Sequence, residues 1–355
     1  MHTLSQEATE LHENSRAKIA KFLNAKDSAE IIYVRGTTEA INLVAYSWGF
    51  NSLKQGDEIL ISLMEHHSNI VPWEIISKLT GSTIKYANVN DDGTLNYADL
   101  EKKLSNKTKL VCLSHISNVS GAINDVKRVA KVAHEHGALM LADGAQSVPH
   151  MPIDVQDLDV DFLCFSGHKM MGPTGIGALY GKRAILEKMA PFQGGGEMIR
   201  EVSFNQGKQQ CTISWNDLPW KFEAGTPNIA GGIALAEAIK YLELLGMNNV
   251  LQHEIDLTKY AMKRLQELKK TSVYGPTGVS RKCGILPFNI EGISSHDIAL
   301  FCDNYGIMLR SGFHCAQPLH QIFKLSSSAR ASFYIYNTFK EVDRFIEVLK
   351  ELEQF

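Results

Sequence analysis

Short apolar runs alternate with amphipathic stretches along the first two thirds of this 355-residue chain. The apolar runs, which have the length of strands, occupy residues 31–34, 58–62, 83–88, 110–115, 138–143 and 161–165. The stretches between them, such as DVKRVAKVAHEHG, carry apolar residues at helical spacing. This alternation predicts an α/β fold in which a mostly parallel sheet has helices on both faces. Ligands of such sheets bind at the carboxyl ends of the strands.

The pattern changes after Pro227. The stretch NIAGGIALAEAIKYLELLGMNNV predicts a long helix broken at Gly246, and further helices and strands follow it. We therefore expect a large domain at residues 1–245, which carries the sheet, and a smaller C-terminal α/β domain at residues 246–355. Two domains also suit the chain length, because one hydrophobic core rarely grows beyond about 250–300 residues.

Charge and hydropathy exclude several classes of partner. The formal net charge is −3, so neither a nucleic acid nor a membrane surface is expected to bind by electrostatic attraction. No apolar run approaches the roughly 20 residues that span a bilayer. The first 25 residues contain three glutamates and lack the apolar core of a signal peptide. They predict a cytoplasmic protein, although a processed organellar protein would have the same composition.

The six cysteines show neither a disulfide framework nor a metal-site spacing. No CxxC pair occurs, so we expect free thiols in a reducing compartment and no bound metal. His134 and His136 are the other candidate ligands, but no second cluster accompanies them. A histidine pair at the end of a helix is the favoured interpretation.

A lysine stands where a buried strand ends, in VDFLCFSGHKMMGPTGIGALYG (residues 160–181). The P-loop order GxxxxGK[ST] is absent, so Lys169 is not a P-loop lysine. The strand before it is wholly apolar and the residues after it are rich in glycine, which distinguishes it from most surface lysines. Burial disfavours the ammonium form and lowers the pKa of such a lysine. Lysines of this kind form Schiff bases with carbonyl cofactors.

A second buried strand, in ALMLADGAQS, ends at Asp143. In a parallel sheet, Asp143 and Lys169 would both project from the carboxyl edge. A carboxylate for the ring nitrogen and a lysine for the aldehyde carbon are the two groups that pyridoxal phosphate (PLP) requires. Taken alone, Asp143 is explained equally well as the N-cap of a following helix.

An anion site is predicted at the start of a helix in VRGTTEAINLVA. Gly36, Thr37 and Thr38 follow a strand there, and the backbone N–H groups of a helix start favour a phosphate. Ser166 and His168 lie close enough to Lys169 in the sequence to serve the same phosphate. The motif alone is weak, because threonine is also an ordinary helix cap.

Seven motifs follow one another in an order that is specific to one group of enzymes. They are RGTTEAINL, EHHSNIVPW, SNVSGAIND, DGAQS, SGHKMMGPTGIGALYG, FEAGTPN and RSGFHCAQP. Over nearly its whole length the chain therefore resembles the class V aminotransferase-fold enzymes, a PLP fold-type I group. This resemblance implies a large domain with a mostly parallel sheet of the seven-stranded type, flanked by helices. It is most similar to the type II, SufS-like cysteine desulfurases, and the SGHK and RSGxHCAxP blocks are the most specific.

The resemblance implies a site that binds PLP. The residues implied to bind the cofactor are Thr37, Thr38, His66, Asp143, Gln146, Ser166, His168, Lys169 and Thr226. By this resemblance Lys169 binds the cofactor covalently and moves the substrate Cα proton, His66 stacks on the ring, and Gln146 bonds the ring hydroxyl. Thr226 is implied to reach the phosphate of the other subunit, which makes a homodimer part of the site.

The resemblance also implies L-cysteine as substrate. Arg330 would bind its carboxylate, helped by Asn118 and Arg310, although an arginine alone equally fits a structural ion pair. Cys315 lies in a segment expected to be flexible and follows Arg310 and His314, which are positive or protonatable groups that favour a thiolate. It is implied to take the substrate sulfur as a persulfide, which leaves alanine. The sulfur then passes to an acceptor protein for iron–sulfur cluster assembly.

The start of the chain departs from the family pattern. MHTLSQEATE matches a point well inside the usual family sequence, so we expect an N-terminal segment that lines the substrate cleft to be missing. Two alternatives to a cysteine desulfurase stay open. One is a selenocysteine lyase or another class V PLP enzyme, although aminotransferases do not need the loop cysteine. The other is an inactive truncated scaffold for sulfur transfer, which would not need Lys169, Asp143, Arg330 or Cys315.

Overall fold

The large sheet of this protein contains the strands that the alternating pattern predicts. The computed structural model describes residues 2–278 and 281–354. The strands of the large sheet are β1 Ile31–Val34, β2 Glu58–Ser62, β3 Thr83–Ala87, β4 Thr108–Ser114, β5 Leu139–Asp143, β6 Phe162–Ser166 and β7 Gly177–Gly181. Their order is β1-β7-β6-β5-β4-β2-β3, and β3, β2, β4, β5 and β6 are parallel neighbours. The predicted mostly parallel, seven-stranded sheet is confirmed.

Strand β7 is the one member of this sheet that the sequence pattern does not predict. Its apolar part is only residues 178–180, and glycines flank it on both sides. It runs antiparallel to both β1 and β6. Gly177 is required by a close approach, because an added Cβ would overlap the carbonyl oxygen of Phe165 on β6.

Helices cover both faces of the large sheet. They are α1 Thr3–Phe22, α2 Thr37–Val44, α3 Phe50–Ser52, α4 Val71–Thr80, α5 Tyr97–Lys103, α6 Val126–Glu135, α7 Ser147–His150, α8 Val155–Leu158, α9 Arg183–Leu186 and α10 Ile229–Leu245. In β4, Val111 and Leu113 belong to the core on one face, whereas Leu110 and Cys112 belong to the core on the other. Because side chains alternate along a strand, burial on both faces explains the unbroken apolar runs.

The two histidines considered as metal ligands lie at the end of α6. His134 is in the last turn of this helix and His136 is its C-cap residue. His134 Nε2 lies 2.8 Å from Asp161 Oδ2, so a carboxylate partner explains its position. The predicted helix-end pair is confirmed.

Residues 199–215 form a separate hairpin of strands β8 Ile199–Asn205 and β9 Gln210–Trp215. Val202 pairs with Ile213 and Phe204 pairs with Cys211, so these side chains share one face of the hairpin. All four residues are exposed. The hairpin thus presents an apolar face that its own chain does not bury.

A second sheet is built from residues beyond 270 and is antiparallel throughout. Its elements, together with the helices that accompany them, are α11 Met247–Leu265, β10 Thr271–Val273, β11 Ile285–Ile290, α12 Ser295–Asp303, β12 Arg310–Gly312, α13 Gln317–Ile322, β13 Ser328–Ser332 and α14 Phe339–Leu352. The strand order is β10-β11-β13-β12. This sheet has its own apolar core, which includes Phe288, Ile298 and Phe345.

The long helix predicted after Pro227 is interrupted at Gly246, which separates α10 from α11. The φ of Gly246 is 81°, a backbone angle that glycine tolerates without a steric penalty. The predicted helix break is confirmed. The division of the chain into domains at residues 1–245 and 246–355 stays a prediction.

Within residues 2–278 and 281–354, no helix combines the length and the apolar composition that a membrane crossing needs.

Candidate active site

A cavity of about 250 Å³ lies at the carboxyl edge of the large sheet, where β4, β5 and β6 end. Its lining residues are Thr37, Thr38, His66, Ser68, Ser114, Ile116, Asn118, Asp143, Ala145, Gln146, Ser166, His168, Lys169, Arg310, His314 and Arg330. Apart from Gly36, Cys315 and Thr226, every site residue predicted from the sequence is in this lining. The fold therefore brings together residues that are up to about 290 positions apart in the chain.

Lys169 follows β6 in one 3₁₀ turn, Gly167–Lys169. It is partly buried, and burial lowers the pKa of its ammonium, while the Asp143 carboxylate acts in the opposite direction. The positive charges of Arg330 and Arg310 lower the pKa further. A lowered pKa increases the share of neutral amine, which is the form that acts as a nucleophile or base.

Asp143 is the last residue of β5, and it is buried. Its Oδ1 accepts a hydrogen bond of 2.9 Å from the N–H of Ala145. The N-cap residue of the next helix, α7, is Gln146, so Asp143 does not cap that helix and the capping alternative is wrong. Burial raises the pKa of Asp143, and the nearby Lys169 opposes this effect. A cationic ligand group in the cavity would favour the ionised carboxylate.

The start of α2 meets the end of β6 in a cluster of hydroxyl and amide groups. Ser166 Oγ accepts a hydrogen bond of 2.9 Å from the N–H of Thr37 and lies 2.8 Å from Thr37 Oγ1. An added Cβ at Gly36 would lie 2.9 Å from Ser166 Oγ, so glycine permits the close approach. Hydroxyl donors at the start of a helix suit a phosphate or another anion.

His66 lines the cavity from the loop after β2. Its Nδ1 lies 2.7 Å from Ser68 Oγ. Burial is the main reason that the pKa of His66 falls to about 4, and the charge of Lys169 contributes. The ring is therefore neutral at neutral pH, and a neutral, partly buried ring suits stacking on a planar ligand.

Two arginines give the opposite side of the cavity a positive charge. Arg310 on β12 pairs directly with Arg330 on β13, and like charges in this arrangement are unfavourable. Burial and the charge of Arg310 lower the pKa of Arg330 to about 10. Arg330 Nη1 donates a hydrogen bond of 2.9 Å to Asn118 O, whereas its buried Nε has no hydrogen-bond partner. Such a pair is suited to an anionic ligand.

Cys315 lies in a tight turn, and the expected flexibility of this segment stays a prediction. The N–H of Ala316 donates to Phe313 O at 2.9 Å, which closes the turn. The middle residues His314 and Cys315 have φ angles of 50° and 59°. Positive φ at both central positions is the pattern of a type I′ turn. His314 O also accepts a hydrogen bond of 2.7 Å from Asn118 Nδ2, which ties the turn to the large sheet.

One charged group beside the Cys315 thiol is Arg310, whose Nη2 lies 4.0 Å from Sγ. His314 does not provide a second positive charge, because burial lowers its pKa to about 3. Its Nε2 lies 3.1 Å from Ser328 Oγ. The prediction of positive company for Cys315 therefore holds for Arg310 and is wrong for His314.

Thr226 does not line this cavity. It is exposed, and it lines a separate cavity of about 370 Å³ together with Arg35, Glu223 and Asn228. The resemblance assigns Thr226 to the site of the partner subunit. That assignment stays a prediction, because a single chain does not test it.

Glu65 is a residue of this region that the sequence reasoning missed. Its carboxylate is fully buried and accepts hydrogen bonds from Ser62 Oγ at 2.5 Å, Ser114 Oγ at 2.7 Å and Asn69 Nδ2 at 2.7 Å. Burial raises the pKa of Glu65 to about 7. The available signal was an acidic residue next to the predicted His66 in EHHSN.

A buried group of potential metal ligands lies outside the lining of this cavity. Within residues 2–278 and 281–354, His150, Glu254 and Cys283 place their ligand atoms within 4.8 Å of one another. His150 Nδ1 lies 2.7 Å from Glu254 Oε1, and Cys283 Sγ donates to Glu254 Oε2 at 3.3 Å. Burial raises the pKa of Cys283 well above its ordinary value, so its thiol stays protonated. Hydrogen bonds explain this cluster.

Sequence comparison connects this geometry with known proteins. The family model described as Aminotransferase class-V matches residues 1–345. A probable cysteine desulfurase of Halalkalibacterium halodurans is 51% identical over 355 residues, which are 100% of this chain and 85% of that protein. A cysteine desulfurase of Haloferax volcanii is 45% identical over 98% of this chain and 80% of that protein.

Solved structures give the same result. The apo structure of cysteine desulfurase from Thermococcus onnurineus superposes with a TM-score of 0.95 at 38% identity, covering 100% of this chain and 86% of that one. The cysteine desulfurase CsdA from Escherichia coli gives a TM-score of 0.93 at 37% identity, covering 100% and 87%. This protein therefore belongs to the class V aminotransferase family.

Proposed function

We propose that this protein is a PLP-dependent cysteine desulfurase, which converts L-cysteine to L-alanine and takes the sulfur onto Cys315. The observation that carries the proposal is one cavity that joins Lys169 and Asp143 to the paired arginines, with Cys315 beside Arg310. The named activity of relatives at 45–51% identity supports it. An aminotransferase would have no use for a thiol at this position.

The residues of the cavity fit PLP. Thr37 and Ser166 offer hydroxyl groups for its phosphate, and Asp143 offers a buried carboxylate for its ring nitrogen. Lys169 offers an amine of lowered pKa for its aldehyde. When bound, PLP supplies an electron sink for the charge that develops at the substrate Cα. The remaining cofactor contacts in our assignment are Thr38, His66, Gln146 and His168.

Lys169 moves the proton of the substrate in this proposal. Its neutral amine accepts the Cα proton, and general base catalysis of this kind typically contributes roughly 10²–10⁴ in rate. A positively charged ring nitrogen beside Asp143 would keep its carboxylate ionised, because an opposite charge lowers the pKa that burial raises.

Arg330 holds the substrate carboxylate. Its bond to Asn118 O fixes one side of the guanidinium, and its buried, unpartnered Nε is available as a donor. A planar guanidinium matches a carboxylate with two parallel hydrogen bonds. This contact fixes the Cα of the substrate relative to Lys169, and Asn118 assists by holding the arginine.

Cys315 is the nucleophile that removes the sulfur. Its thiolate attacks the sulfur of the substrate, so an S–S bond forms while the substrate Cβ–S bond breaks. The electron pair of the broken bond stays with the substrate carbon, which is protonated and leaves as alanine. Arg310 Nη2 lies 4.0 Å from Sγ, so a positive charge stands beside the attacking sulfur.

The proposal includes partners and a location. A homodimer would place Thr226 of one subunit at the phosphate of the other. The persulfide sulfur would pass to an acceptor protein for iron–sulfur cluster assembly, in the cytoplasm. The sheet of residues 1–245 would bind the cofactor, and residues 246–355 would supply Arg310, Cys315 and Arg330.

A spectroscopic and product assay tests this function. We expect the purified protein with added PLP to show the absorption band of the bound cofactor, which shifts when L-cysteine is added, while alanine accumulates. Cys315→Ala should keep the band and abolish alanine release, whereas Lys169→Ala should lose the covalently bound cofactor. Cys211→Ala, in the exposed hairpin, is the matched cysteine control. Normal alanine release by Cys315→Ala would refute the assignment.

A further inference from the structure

The turn that carries Cys315 needs restraint from outside. His314 and Cys315 both have φ angles in the left-handed region, at 50° and 59°, and neither is glycine. A side chain makes this conformation unfavourable, and it persists only where the surroundings fix it. The closing bond from the N–H of Ala316 to Phe313 O is local and does not by itself explain two successive residues of this kind.

His67 supplies two restraints on this turn. The backbone N–H of His67 donates a hydrogen bond of 2.8 Å to Cys315 O. Its ring Nε2 accepts a hydrogen bond of 3.3 Å from the N–H of Gln317. Gln317 is the first residue of α13, where backbone N–H groups have no partner within the helix. His67 therefore holds the chain at Cys315 itself and again two residues later.

The loop that carries His67 is itself firmly anchored. His67 is the first residue of a 3₁₀ turn, His67–Asn69, that follows β2. Asn69 is buried, and its Nδ2 donates a hydrogen bond of 2.7 Å to Glu65 Oε2. His67 does not line the cavity, whereas His66 before it does. The loop thus presents one histidine to the cavity and the next to the cysteine turn.

We propose that His67 is a positioning residue that holds Cys315 Sγ in the orientation needed for attack on the substrate sulfur. His67 acts through the backbone of the turn and touches neither substrate nor cofactor. The acceptor is ring Nε2, so the neutral ring with its proton on Nδ1 performs this role. The inference rests on the proposed function, because it takes Cys315 to be the nucleophile.

Two substitutions separate the ring from the backbone contact. His67→Ala removes the Nε2 acceptor but keeps the N–H that bonds to Cys315 O. His67→Gln restores an acceptor at about the distance of Nε2 along the side chain. His136→Ala, an exposed histidine at the end of α6 that bonds to Val132 O, is the control for loss of a histidine elsewhere.

We expect His67→Ala to lower kcat for alanine formation by roughly 10- to 100-fold, because a small displacement of a reacting group costs this much. KM for L-cysteine and the cofactor absorption band should stay unchanged. In the cofactor-free protein, hydrogen–deuterium exchange of residues 313–322 should become faster and alkylation of Cys315 by iodoacetamide should change in rate. His67→Gln should recover most of kcat and of the protection from exchange.

Three results would overturn the proposal. One is an unchanged kcat in His67→Ala, whatever its exchange rates. Another is unchanged exchange of residues 313–322, and the third is a His67→Gln variant as impaired as His67→Ala. If the unsubstituted protein forms no alanine from L-cysteine, it is the proposed function that fails. The exchange and alkylation measurements on cofactor-free protein then still show whether His67 holds the turn.

Discussion

At the scale of single residues, the positive charges of Arg310 and Arg330 repel each other across the β12–β13 pair, and a bound carboxylate would reduce this repulsion. Arg330→Lys keeps the charge but loses the planar fork that bonds a carboxylate twice. We expect KM for L-cysteine to rise about 10- to 100-fold, which corresponds to the loss of one charge-assisted hydrogen bond, while the cofactor band stays unchanged. Steady-state alanine formation measures the effect.

The matched control for this substitution is Arg344→Lys, on the exposed side of α14, where Arg344 pairs with Glu347. It should leave KM unchanged. If Arg330→Lys also left KM unchanged, Arg330 would be a structural residue and the carboxylate would bind elsewhere.

Glu65 makes stability depend on pH. Its pKa is raised from an ordinary 4.5 to about 7, so the folded protein binds this proton more tightly than the unfolded chain does. The resulting stabilisation is complete below pH 4.5 and is lost as the pH rises through 7. Each pKa unit is worth 1.36 kcal/mol, so about 3 kcal/mol is lost across this window.

Glu65→Gln removes this titration but keeps an amide of similar shape. We expect the free energy of unfolding of the unsubstituted protein, relative to Glu65→Gln, to fall by about 3 kcal/mol between pH 4.5 and pH 7.5. Urea unfolding at a series of pH values measures the difference. A difference that is constant with pH would mean that the Glu65 carboxyl does not change its protonation in this range.

At the scale of elements, α14, which packs in the apolar core of the C-terminal sheet, begins with a capping box. The N–H of Glu341 donates to Thr338 Oγ1 at 3.3 Å, and the N–H of Thr338 donates to Glu341 Oε2 at 2.7 Å. Thr338→Ala should lower the free energy of unfolding by about 1 kcal/mol, while Thr338→Ser should keep most of it. Urea unfolding distinguishes the two, and equal losses would show that the hydroxyl has no capping role.

A comparison of the predicted and observed elements shows which of them the sequence pattern predicts. The six predicted strands end within about two residues of their observed ends. Five of them are almost wholly buried, so most of their residues are apolar, whereas the edge strand β3 is mostly half-buried. The sequence does not predict strand β7, because three apolar residues between two glycines are as typical of a loop as of a strand. The sequence also does not predict the turn at Cys315, for a different reason. Its two positive φ angles fall on histidine and cysteine, which carry no sequence signal for that conformation.

At the scale of the whole molecule, the proposed dimer predicts that each active site contains residues from both subunits. If Thr226 serves the phosphate of the partner subunit, Thr226→Ala should weaken cofactor binding in a homodimer of the variant. Mixing Thr226→Ala subunits with Lys169→Ala subunits should restore one site that has both residues intact. We therefore expect the mixture to release alanine from L-cysteine faster than the sum of the separate variants.

Sedimentation of the unsubstituted protein is the control, because complementation requires a dimer that exchanges subunits. An apolar hairpin face with Val202, Phe204 and Ile213 exposed is available for such an association. A mixture that is no faster than the separate variants, in a protein that does form and exchange dimers, would place Thr226 outside the partner's site.

The class of fold follows from the order of the residues alone, because apolar runs of strand length that alternate with amphipathic stretches can be buried in few other ways. The order of the residues also determines which chemistry meets at the carboxyl edge, since Asp143 and Lys169 each follow a buried strand. The protonation and the orientation of the groups in the site depend instead on contacts that form when the chain folds. The hydrogen bond from Ser114 to Glu65, the burial that keeps the His314 ring neutral and the contacts of His67 with the turn at Cys315 arise between segments that are distant in the sequence. Burial and charge depend on such neighbours, which no local pattern records.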